Sequence, residues 1–195
     1  MTLSYYERAA ETFFADTVEI DMAPLRERFL SHLPPGAAIL DAGCGSGRDA
    51  RIFRERGYVV TAMEPAPALA SLAEAYCRLP VQRLRFQEID WQERFDGIWA
   101  CASLLHVPMA ELPEVFKRLA RALRPEGLLY VSFKHGRGER ERGGRWFTDL
   151  DEVGLAELLR QVPTLTAFAT WITADQRPGR ADECWLNAVI HNHCG

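Results

Sequence analysis

Residues 39–48 read Ile39-Leu40-Asp41-Ala42-Gly43-Cys44-Gly45-Ser46-Gly47-Arg48, and this segment determines the expected architecture. The apolar residues before Asp41 predict a short buried strand, and a helix is predicted from Asp49 to Arg56. The glycines at alternate positions between them let the backbone approach a ligand at the carboxyl edge of a sheet. The segment therefore predicts an α/β protein with a ligand site at this loop.

Short apolar runs alternate with helical patterns along the first two thirds of the chain. The expected helices cover residues 5–15, 21–33, 49–56, 67–76 and 112–123. The expected strands cover residues 37–40, 58–63, 84–87, 95–101 and 128–133. This alternation predicts a mostly parallel sheet covered by helices.

The pattern changes after the fifth strand. Residues 135–144 are charged and rich in glycine, which predicts a long loop, and a capping box at Thr148 precedes a helix that ends near Arg160. Two β-rich runs follow, at residues 165–172 and 184–190, with no helix between them. Parallel neighbours need a long crossover, so we expect these two strands to pair antiparallel.

Composition and charge exclude several classes of protein. Of the 195 residues, 48% are hydrophobic and 26% are charged, as in an ordinary globular domain. No apolar run approaches the ~18 residues of a membrane span. The formal net charge of −4 argues against a nucleic acid or a membrane as partner. Five cysteines with irregular spacing indicate reduced thiols in a cytoplasmic protein.

The glycine spacing distinguishes between nucleotide ligands. Dinucleotide sites usually place a third glycine where this chain has Arg48. The carboxylate of Asp41 would repel a pyrophosphate and attract a cation. Glu64, at the end of the second strand, can bind both hydroxyls of a ribose, and Glu88 can accept a hydrogen bond from an adenine amine. These features favour S-adenosylmethionine, a positively charged nucleoside without phosphate, although spacing alone leaves other ligands open.

The segment Asp41 to Arg48 resembles motif I of the class I S-adenosylmethionine-dependent methyltransferases. The resemblance continues through Glu64, through Phe95-Asp96-Gly97-Ile98, and through Leu123-Arg124-Pro125-Glu126-Gly127-Leu128. Within that family, Ser103-Leu104-Leu105-His106-Val107-Pro108 is similar to the small bacterial tellurite-resistance-like enzymes.

The resemblance implies a Rossmann-like three-layer sandwich around a seven-stranded, mostly parallel sheet of order 3-2-1-4-5-7-6 with strand 7 antiparallel. It implies one domain over residues 1–195, with a helical segment or lid at 1–33 and the core at 34–195. The implied cofactor contacts run from the methionine end (Gly43, Gly45 and Gly47, with Asp41 near the ammonium group) through the ribose (Glu64) to the adenine (Glu88 and the backbone of Ile89). Backbone at Ala100 and Cys101 should meet the methionine moiety.

The acceptor is expected beyond the fourth strand. His106 lies there as a candidate general base or acceptor-orienting group, with simple packing as the alternative. Tyr6 is expected to fold over the site as part of the lid, or else to pack. Arg145, Trp146 and Phe147 resemble a flap over the acceptor pocket, and arginines are suited to an anionic acceptor.

Other motifs narrow the chemistry. The fourth strand ends without the Asn/Asp-Pro-Pro-Tyr motif of DNA amino-methyltransferases, which favours a small-molecule acceptor whose reacting atom (O, N, S or a chalcogen) stays open. His191, His193 and Cys194 lack a second ligand pair at useful spacing, so no metal site is predicted. The alternative to an enzyme is a non-catalytic module that binds S-adenosylmethionine or S-adenosylhomocysteine. Oligomeric state is not predicted.

Overall fold

A computed structural model describes residues 2–175 and 183–193, so Cys194 lies outside the described residues. The helices are α1 (Thr2–Arg8), α2 (Ala10–Thr17), α3 (Ala23–Leu30), α4 (Arg48–Glu55), α5 (Pro67–Cys77), α6 (Leu112–Ala122) and α7 (Glu152–Leu159). The strands are β1 (Ala38–Ala42), β2 (Val59–Met63), β3 (Val81–Gln82), β4 (Phe95–Ala100), β5 (Leu123–Lys134), β6 (Gly138–Arg142), β7 (Arg145–Asp149), β8 (Leu165–Ala174) and β9 (Cys184–Asn192). No helix within these described ranges is long and apolar enough to cross a membrane.

Seven strands form one sheet of order β3-β2-β1-β4-β5-β9-β8. The first five strands pair in parallel, and β9 is antiparallel to both of its neighbours. The predicted seven-stranded, mostly parallel α/β sheet and its strand order are therefore confirmed, with β8 and β9 as the sixth and seventh strands of the predicted order. The carboxyl ends of β1, β2 and β4 meet at one edge, where the glycine loop lies.

Both faces of the sheet are buried at its central strands, as at β1 and β4. Along β4, Ile98 packs into a core shared with α6 and α7, whereas Trp99 points to the other face and packs with Phe29 of α3 and Phe53 of α4. Successive side chains of a strand alternate between faces, so apolar residues at every position are needed where helices cover both sides. Trp99 stacks on Tyr130 of β5 with 3.9 Å between ring centroids.

The predicted loop over residues 135–144 is wrong, because most of it forms a hairpin. β6 and β7 pair antiparallel as a separate two-stranded sheet. The turn between them is Gly143-Gly144, and both residues have positive φ, at 58° and 76°. Two consecutive positive φ angles are what a tight two-residue hairpin turn requires, and paired glycines adopt them without strain.

The third strand and the first helix also differ from the prediction. The strand expected at residues 84–87 is instead β3, two residues long and ending at Gln82, and residues 86–88 form a 3₁₀ turn that buries Phe86. The helix expected over residues 5–15 is interrupted at Ala9, whose φ of −103° and ψ of 16° are not helical, so α1 and α2 are separate.

The bounds of β5 and α3 also differ from the prediction. β5 begins at Leu123, five residues before the predicted start at Leu128, because Leu123 pairs with Phe95 and a register shift absorbs the intervening turn. α3 ends at Leu30, three residues before the predicted Leu33. Its start agrees with the predicted cap, because the Oδ1 of Asp21 accepts the N–H of Ala23 at 2.8 Å.

Candidate functional site

The glycine loop between β1 and α4 is held in a conformation that needs glycine. Gly43, Gly45 and Gly47 have φ angles of 77°, 55° and 76°. The N–H groups of Gly43 and Cys44 both donate to the carbonyl of Met63, at 2.9 Å, which ties the loop to the end of β2. A Cβ atom on Gly43 would lie 2.5 Å from the Cβ of Ser103. The loop thus packs closely against the segment that follows β4.

Asp41 is a buried carboxylate beside this loop. It is 3% exposed, and its Oδ2 atom has no hydrogen-bond partner among the described residues. Burial and the nearby charge of Asp49 raise the pKa of Asp41 well above the ordinary value. A buried oxygen without a partner is destabilising, so a ligand that brings a donor or a positive charge would be stabilised there. This property fits the ammonium group of S-adenosylmethionine.

Asp49, in the first turn of α4, stabilises the end of the glycine loop through three hydrogen bonds. It accepts hydrogen bonds from Arg26 at 2.7 Å, Arg48 at 2.8 Å and the indole of Trp99 at 3.1 Å. Burial opposes its ionisation, but the Arg48 and Arg26 guanidinium groups hold the pKa of Asp49 below its usual value. The cluster joins α3, α4 and β4, so it fixes the start of α4 relative to the sheet.

Glu64 follows β2 directly and points at the same loop. Its carboxylate accepts the N–H of Ala66 at 3.0 Å and the N–H of Gly45 at 3.3 Å. Burial raises the pKa of Glu64 to about 7, although these two backbone hydrogen bonds favour the charged form. The side chain is therefore oriented before any ligand binds. Its position beside Gly45 is compatible with the expected ribose contact.

The two residues expected to contact the adenine, Glu88 and Ile89, do not line the cavity over the glycine loop. Glu88 is exposed in the 3₁₀ turn, where its carboxylate accepts the N–H of Arg85 at 2.8 Å and pairs with the Arg85 side chain at 3.1 Å. These bonds lower the pKa of Glu88. Ile89 is buried in the core, and its carbonyl accepts a hydrogen bond from Arg118 at 3.0 Å. The adenine contacts stay predictions.

A cavity of about 210 Å³ opens over the glycine loop. Its lining brings together, from the predicted cofactor set, Asp41, Gly43, Gly45 and Cys101, and from the predicted acceptor set, Tyr6, His106, Arg145 and Phe147. Among the described residues, its lining does not include Gly47, Glu64, Glu88, Ile89, Ala100 or Trp146. Ala100 is fully buried at the end of β4, and burial raises the pKa of the next residue, Cys101, to about 12, so its thiol is protonated.

His106 and Tyr6 form a partly buried hydrogen-bonded pair at this cavity. The Nδ1 of His106 lies 2.7 Å from the carbonyl oxygen of Trp146, and its Nε2 lies 2.8 Å from the Tyr6 hydroxyl. A carbonyl only accepts, so Nδ1 carries the proton and Nε2 accepts from Tyr6. Burial and the charge of Arg145 lower the pKa of His106 to about 4, and burial raises the pKa of Tyr6. Both groups are therefore neutral near pH 7.

The hairpin β6–β7 brings basic residues to the cavity. Arg140 pairs with Asp149, and Arg142 lies 3.6 Å from Glu183. Arg145 differs, because it has no carboxylate partner among the described residues and its buried Nε has no hydrogen bond. Its guanidinium lies over the rings of Tyr5 and Phe147, at 4.5 Å and 5.2 Å from their centroids. Trp146 faces elsewhere, with its indole donating to Glu139 at 3.1 Å.

Sequence reasoning missed the wall formed by β5, β8 and β9. Ser132 and Asn187 are paired across β5 and β9, and both line the cavity with Phe13 of α2. The hydroxyl of Tyr130 donates to the Oδ1 of Asn187 at 2.7 Å. The signal available in the sequence was one strongly polar residue inside each of the predicted runs 128–133 and 184–190, which are otherwise mostly apolar. A buried polar residue of this kind has a partner or faces a site.

Comparisons with known proteins find similar sequences and similar folds. A family model described as a methyltransferase domain matches residues 14–174. A solved structure of the Burkholderia thailandensis 1,6-didemethyltoxoflavin-N1-methyltransferase, with bound 1,6-didemethyltoxoflavin and S-adenosylhomocysteine, superposes with a TM-score of 0.78 at 27% identity. That superposition covers 98% of this chain and 85% of the other.

Two curated relatives match more locally. The chain is 32% identical over 149 residues to a malonyl-[acyl-carrier protein] O-methyltransferase of Serratia marcescens, covering 73% of this chain and 56% of that protein. It is 32% identical over 111 residues to a trans-aconitate 2-methyltransferase of Variovorax paradoxus, and the match covers 55% of this chain and 42% of that protein. The chain thus spans about half the length of the curated relatives it matches.

Proposed function

This chain belongs to the family of S-adenosylmethionine-dependent methyltransferases, and on that premise we propose that it is an enzyme that methylates a small-molecule acceptor. The observation that carries the proposal is the conjunction of a positive-φ glycine loop, the unpaired buried oxygen of Asp41 and the oriented carboxylate of Glu64. When bound, the cofactor supplies a methyl group on a positively charged sulfur.

Each residue of the cofactor half of the site, which is Asp41, the glycine loop and Glu64, is given one contact with the cofactor. Asp41 would hold the ammonium group, the backbone of the glycine loop would lie along the methionine portion, and Glu64 would bind the ribose hydroxyls. Because the pKa of Glu64 is about 7, a ribose that donates two hydrogen bonds would favour its charged form. The predicted contacts of Glu88, Ile89, Ala100 and Cys101 belong to the same proposal.

We propose that the N-terminal segment, residues 1–33, covers the core at 34–195 with α1 and α2 as the lid, since α3 packs into the core through Phe29 and Leu30. Tyr6 and Phe13 line the cavity from α1 and α2. The Thr2 hydroxyl accepts the N–H of Trp146 at 2.9 Å, and Glu7 accepts the N–H of Ala68 at 3.0 Å. α1 and α2 are also joined to the core by the Tyr6–His106 hydrogen bond and by the bond from Arg48 to the carbonyl of Thr17. Opening of such a lid would break these few bonds, and lids usually open to admit ligands.

The acceptor half favours an anion. Arg145 is a cation at the cavity without a carboxylate partner among the described residues, and an acceptor carboxylate or other oxyanion would supply one. Malonyl and trans-aconitate, in the names of the two curated relatives, denote carboxylic acids, so an acceptor of this class suits the family. The tellurite-resistance-like assignment is a narrower version of the same proposal, since tellurite is an oxyanion.

For such an acceptor, His106 would orient the nucleophile and would not act as its base. An oxyanion is already deprotonated at neutral pH, and a histidine of pKa about 4 is a weak base there. The neutral Nε2 of His106 fixes the Tyr6 hydroxyl at one edge of the cavity. The protein's main task is then to hold nucleophile, methyl group and sulfur in line, which can lower a barrier by roughly 7–11 kcal/mol.

The test is a binding measurement combined with an acceptor screen. Calorimetry with S-adenosylhomocysteine should show one site, and NAD should not bind. The screen measures release of S-adenosylhomocysteine with carboxylates, tellurite, selenite, phenols and thiols. Turnover with carboxylates or oxyanions supports the proposal. Tight cofactor binding with no turnover across the panel would favour a non-catalytic binding module, and turnover of NAD-linked substrates would overturn the proposal entirely.

A further inference from the structure

Three side chains with metal-ligating atoms meet at the edge of the sheet opposite the glycine loop. His191 lies near the end of β9, His193 follows two residues later, and Glu126 lies near the start of β5. One ligand atom from each lies within 4.8 Å of the others. This group could not be predicted from the sequence, because Glu126 is far from the two histidines along the chain. The cluster takes no part in the methyl-transfer site.

The register of the two strands sets the convergence. β5 and β9 pair antiparallel with Leu128 opposite His191. Two further steps in the same register would set position 126 opposite position 193. The backbone N–H of His193 donates to the carbonyl of Thr164 at 2.8 Å, so the chain is still held beside β8 at this point. Side chains two residues apart on a strand share a face, which brings both imidazoles to one side of the sheet.

The hydrogen bonds around His191 present a nitrogen lone pair toward His193. The Nε2 of His191 lies 3.1 Å from the Oε2 of Glu126. A carboxylate accepts, so this Nε2 carries a proton and the Nδ1 of the neutral ring is left with its lone pair. A carboxylate on the far nitrogen of a ligating histidine is the usual arrangement that orients such a ring.

The spacing of the two rings suits one ion. The Nδ1 atoms of His191 and His193 are 3.1 Å apart, with the ring planes at 88°. Two nitrogens that each lie 2.0–2.1 Å from one zinc ion are separated by about 2.9–3.4 Å, depending on the angle at the metal. Without an ion, the same contact is a hydrogen bond from Nδ1–H of His193. Binding an ion moves that proton to the Nε2 of His193, and the ring stays neutral.

We propose that His191 and His193 bind a divalent transition-metal ion of the zinc class through their Nδ1 atoms, with Glu126 orienting the His191 ring. Imidazole nitrogen is a preferred ligand of zinc, nickel and copper ions. The Glu126 side chain is 63% exposed and that of His191 24%, so water can complete the coordination sphere. An ion held there binds the folded chain and bridges no residue of the cavity, so it should raise thermal stability without altering cofactor binding.

The experiment is calorimetric titration of the full chain with Zn²⁺ in a Cys184→Ser, Cys194→Ser background, which removes the exposed thiol of Cys184 and the thiol next to His193 in the sequence. We expect one ion per chain, at least tenfold weaker binding in His193→Ala, and about tenfold weaker binding in Glu126→Gln. The thermal midpoint should rise with Zn²⁺ in the parent and not in His193→Ala.

The matched control is His135→Ala. Its Nε2 also lies 3.1 Å from a carboxylate, that of Glu152, yet the group of metal-ligating residues found among residues 2–175 and 183–193 does not include it. Affinity should be unchanged in this variant. Absence of stoichiometric binding in the parent, or equal binding by His193→Ala with S-adenosylhomocysteine affinity intact, would overturn the proposal and leave the methyltransferase assignment untouched.

Discussion

The hydroxyl of Tyr6 lies 2.8 Å from the Nε2 of His106, and this hydrogen bond joins the N-terminal helix to the segment that follows β4. The Tyr6 ring also packs edge-on against Phe13, at 4.9 Å between centroids, above the glycine loop. The Tyr6 side chain thus connects the proposed lid, through Phe13, to the acceptor side of the cavity, through His106. Its hydroxyl can be removed while its ring remains.

Tyr6→Phe should impair the acceptor more than the cofactor. The variant keeps the ring packing and leaves the buried Nε2 of His106 without its donor, a loss worth about 1–3 kcal/mol. We expect kcat/KM for the acceptor to fall by roughly tenfold while S-adenosylhomocysteine affinity changes little. Tyr5→Phe is the control, because no hydrogen bond of its hydroxyl joins it to His106. Equal losses in both variants would contradict the positioning role.

His106 should make the stability of the protein depend on pH on the acid side. The unfolded chain binds a proton at pH about 6.5 and the folded chain at about 4, so the unfolded state holds more protons between these values. Lowering the pH from 6.5 to 4 therefore removes roughly 3 kcal/mol of folding free energy through this group. His106→Gln should lose that dependence. The measurement is urea unfolding at pH 4.5, 5.5 and 7 for both proteins, and parallel curves would exclude a buried neutral histidine.

Local sequence patterns were sufficient for five parallel strands followed by an antiparallel pair, whereas the strand order was implied by the resemblance to the methyltransferase family. The apolar run before Asp41 and the glycines after it specify a strand, a loop and a helix wherever they occur. The antiparallel pairing of β8 and β9 was predicted because the sequence runs at residues 165–172 and 184–190 have no helical pattern between them.

The hairpin and the far wall of the cavity could not be obtained in the same way. Arg140, Arg142 and Arg145 appeared as a charged loop, since glycine and charge are typical of loops, and only the Gly143-Gly144 turn distinguishes a hairpin. The unpartnered Nε of Arg145 and the pairing of Ser132 with Asn187 depend on contacts between distant segments. For Glu88 the contact that the sequence reasoning missed is a local one. Its partner Arg85 is only three residues away and competes with the predicted adenine amine for the carboxylate.

Glu64 should give a pH dependence of the opposite sign. Its pKa is about 7 in the folded chain and about 4.5 in the unfolded chain, so the folded state holds more protons between these values. Raising the pH from 4.5 to above 7 therefore weakens folding by roughly 3 kcal/mol through this group. Glu64→Gln should flatten this fall and reduce S-adenosylhomocysteine affinity at least tenfold. Glu55→Gln, which alters an exposed carboxylate paired with Arg51, should change neither quantity.

Gly43→Ala should destabilise the chain by more than its backbone conformation alone explains. Its φ of 77° makes any side chain unfavourable, and a Cβ would lie 2.5 Å from that of Ser103. Gly57→Ala is the matched control, because φ is 86° there and no atom lies within 4 Å of the added Cβ. We expect about 1–2 kcal/mol of lost stability in the control and roughly twice that in Gly43→Ala, with loss of cofactor binding. Equal denaturation midpoints would show that the loop adjusts freely.

Arg145→Gln should raise the KM for an anionic acceptor and leave cofactor affinity unchanged. The guanidinium is held over Tyr5 and Phe147 and has no carboxylate partner among residues 2–175 and 183–193, so its charge is available to an acceptor in the cavity. A charge-assisted hydrogen bond is worth about 1.5–3 kcal/mol, which corresponds to an increase of roughly 10- to 100-fold in KM. Arg137→Gln removes the same charge from a residue that pairs with Asp151 and does not line the cavity, and its kinetics should match the parent protein.

An equal rise in KM in both variants would indicate long-range attraction by the basic hairpin, and raised salt would then abolish the effect. A rise confined to Arg145→Gln that persists at high salt would place the anion of the acceptor at this side chain.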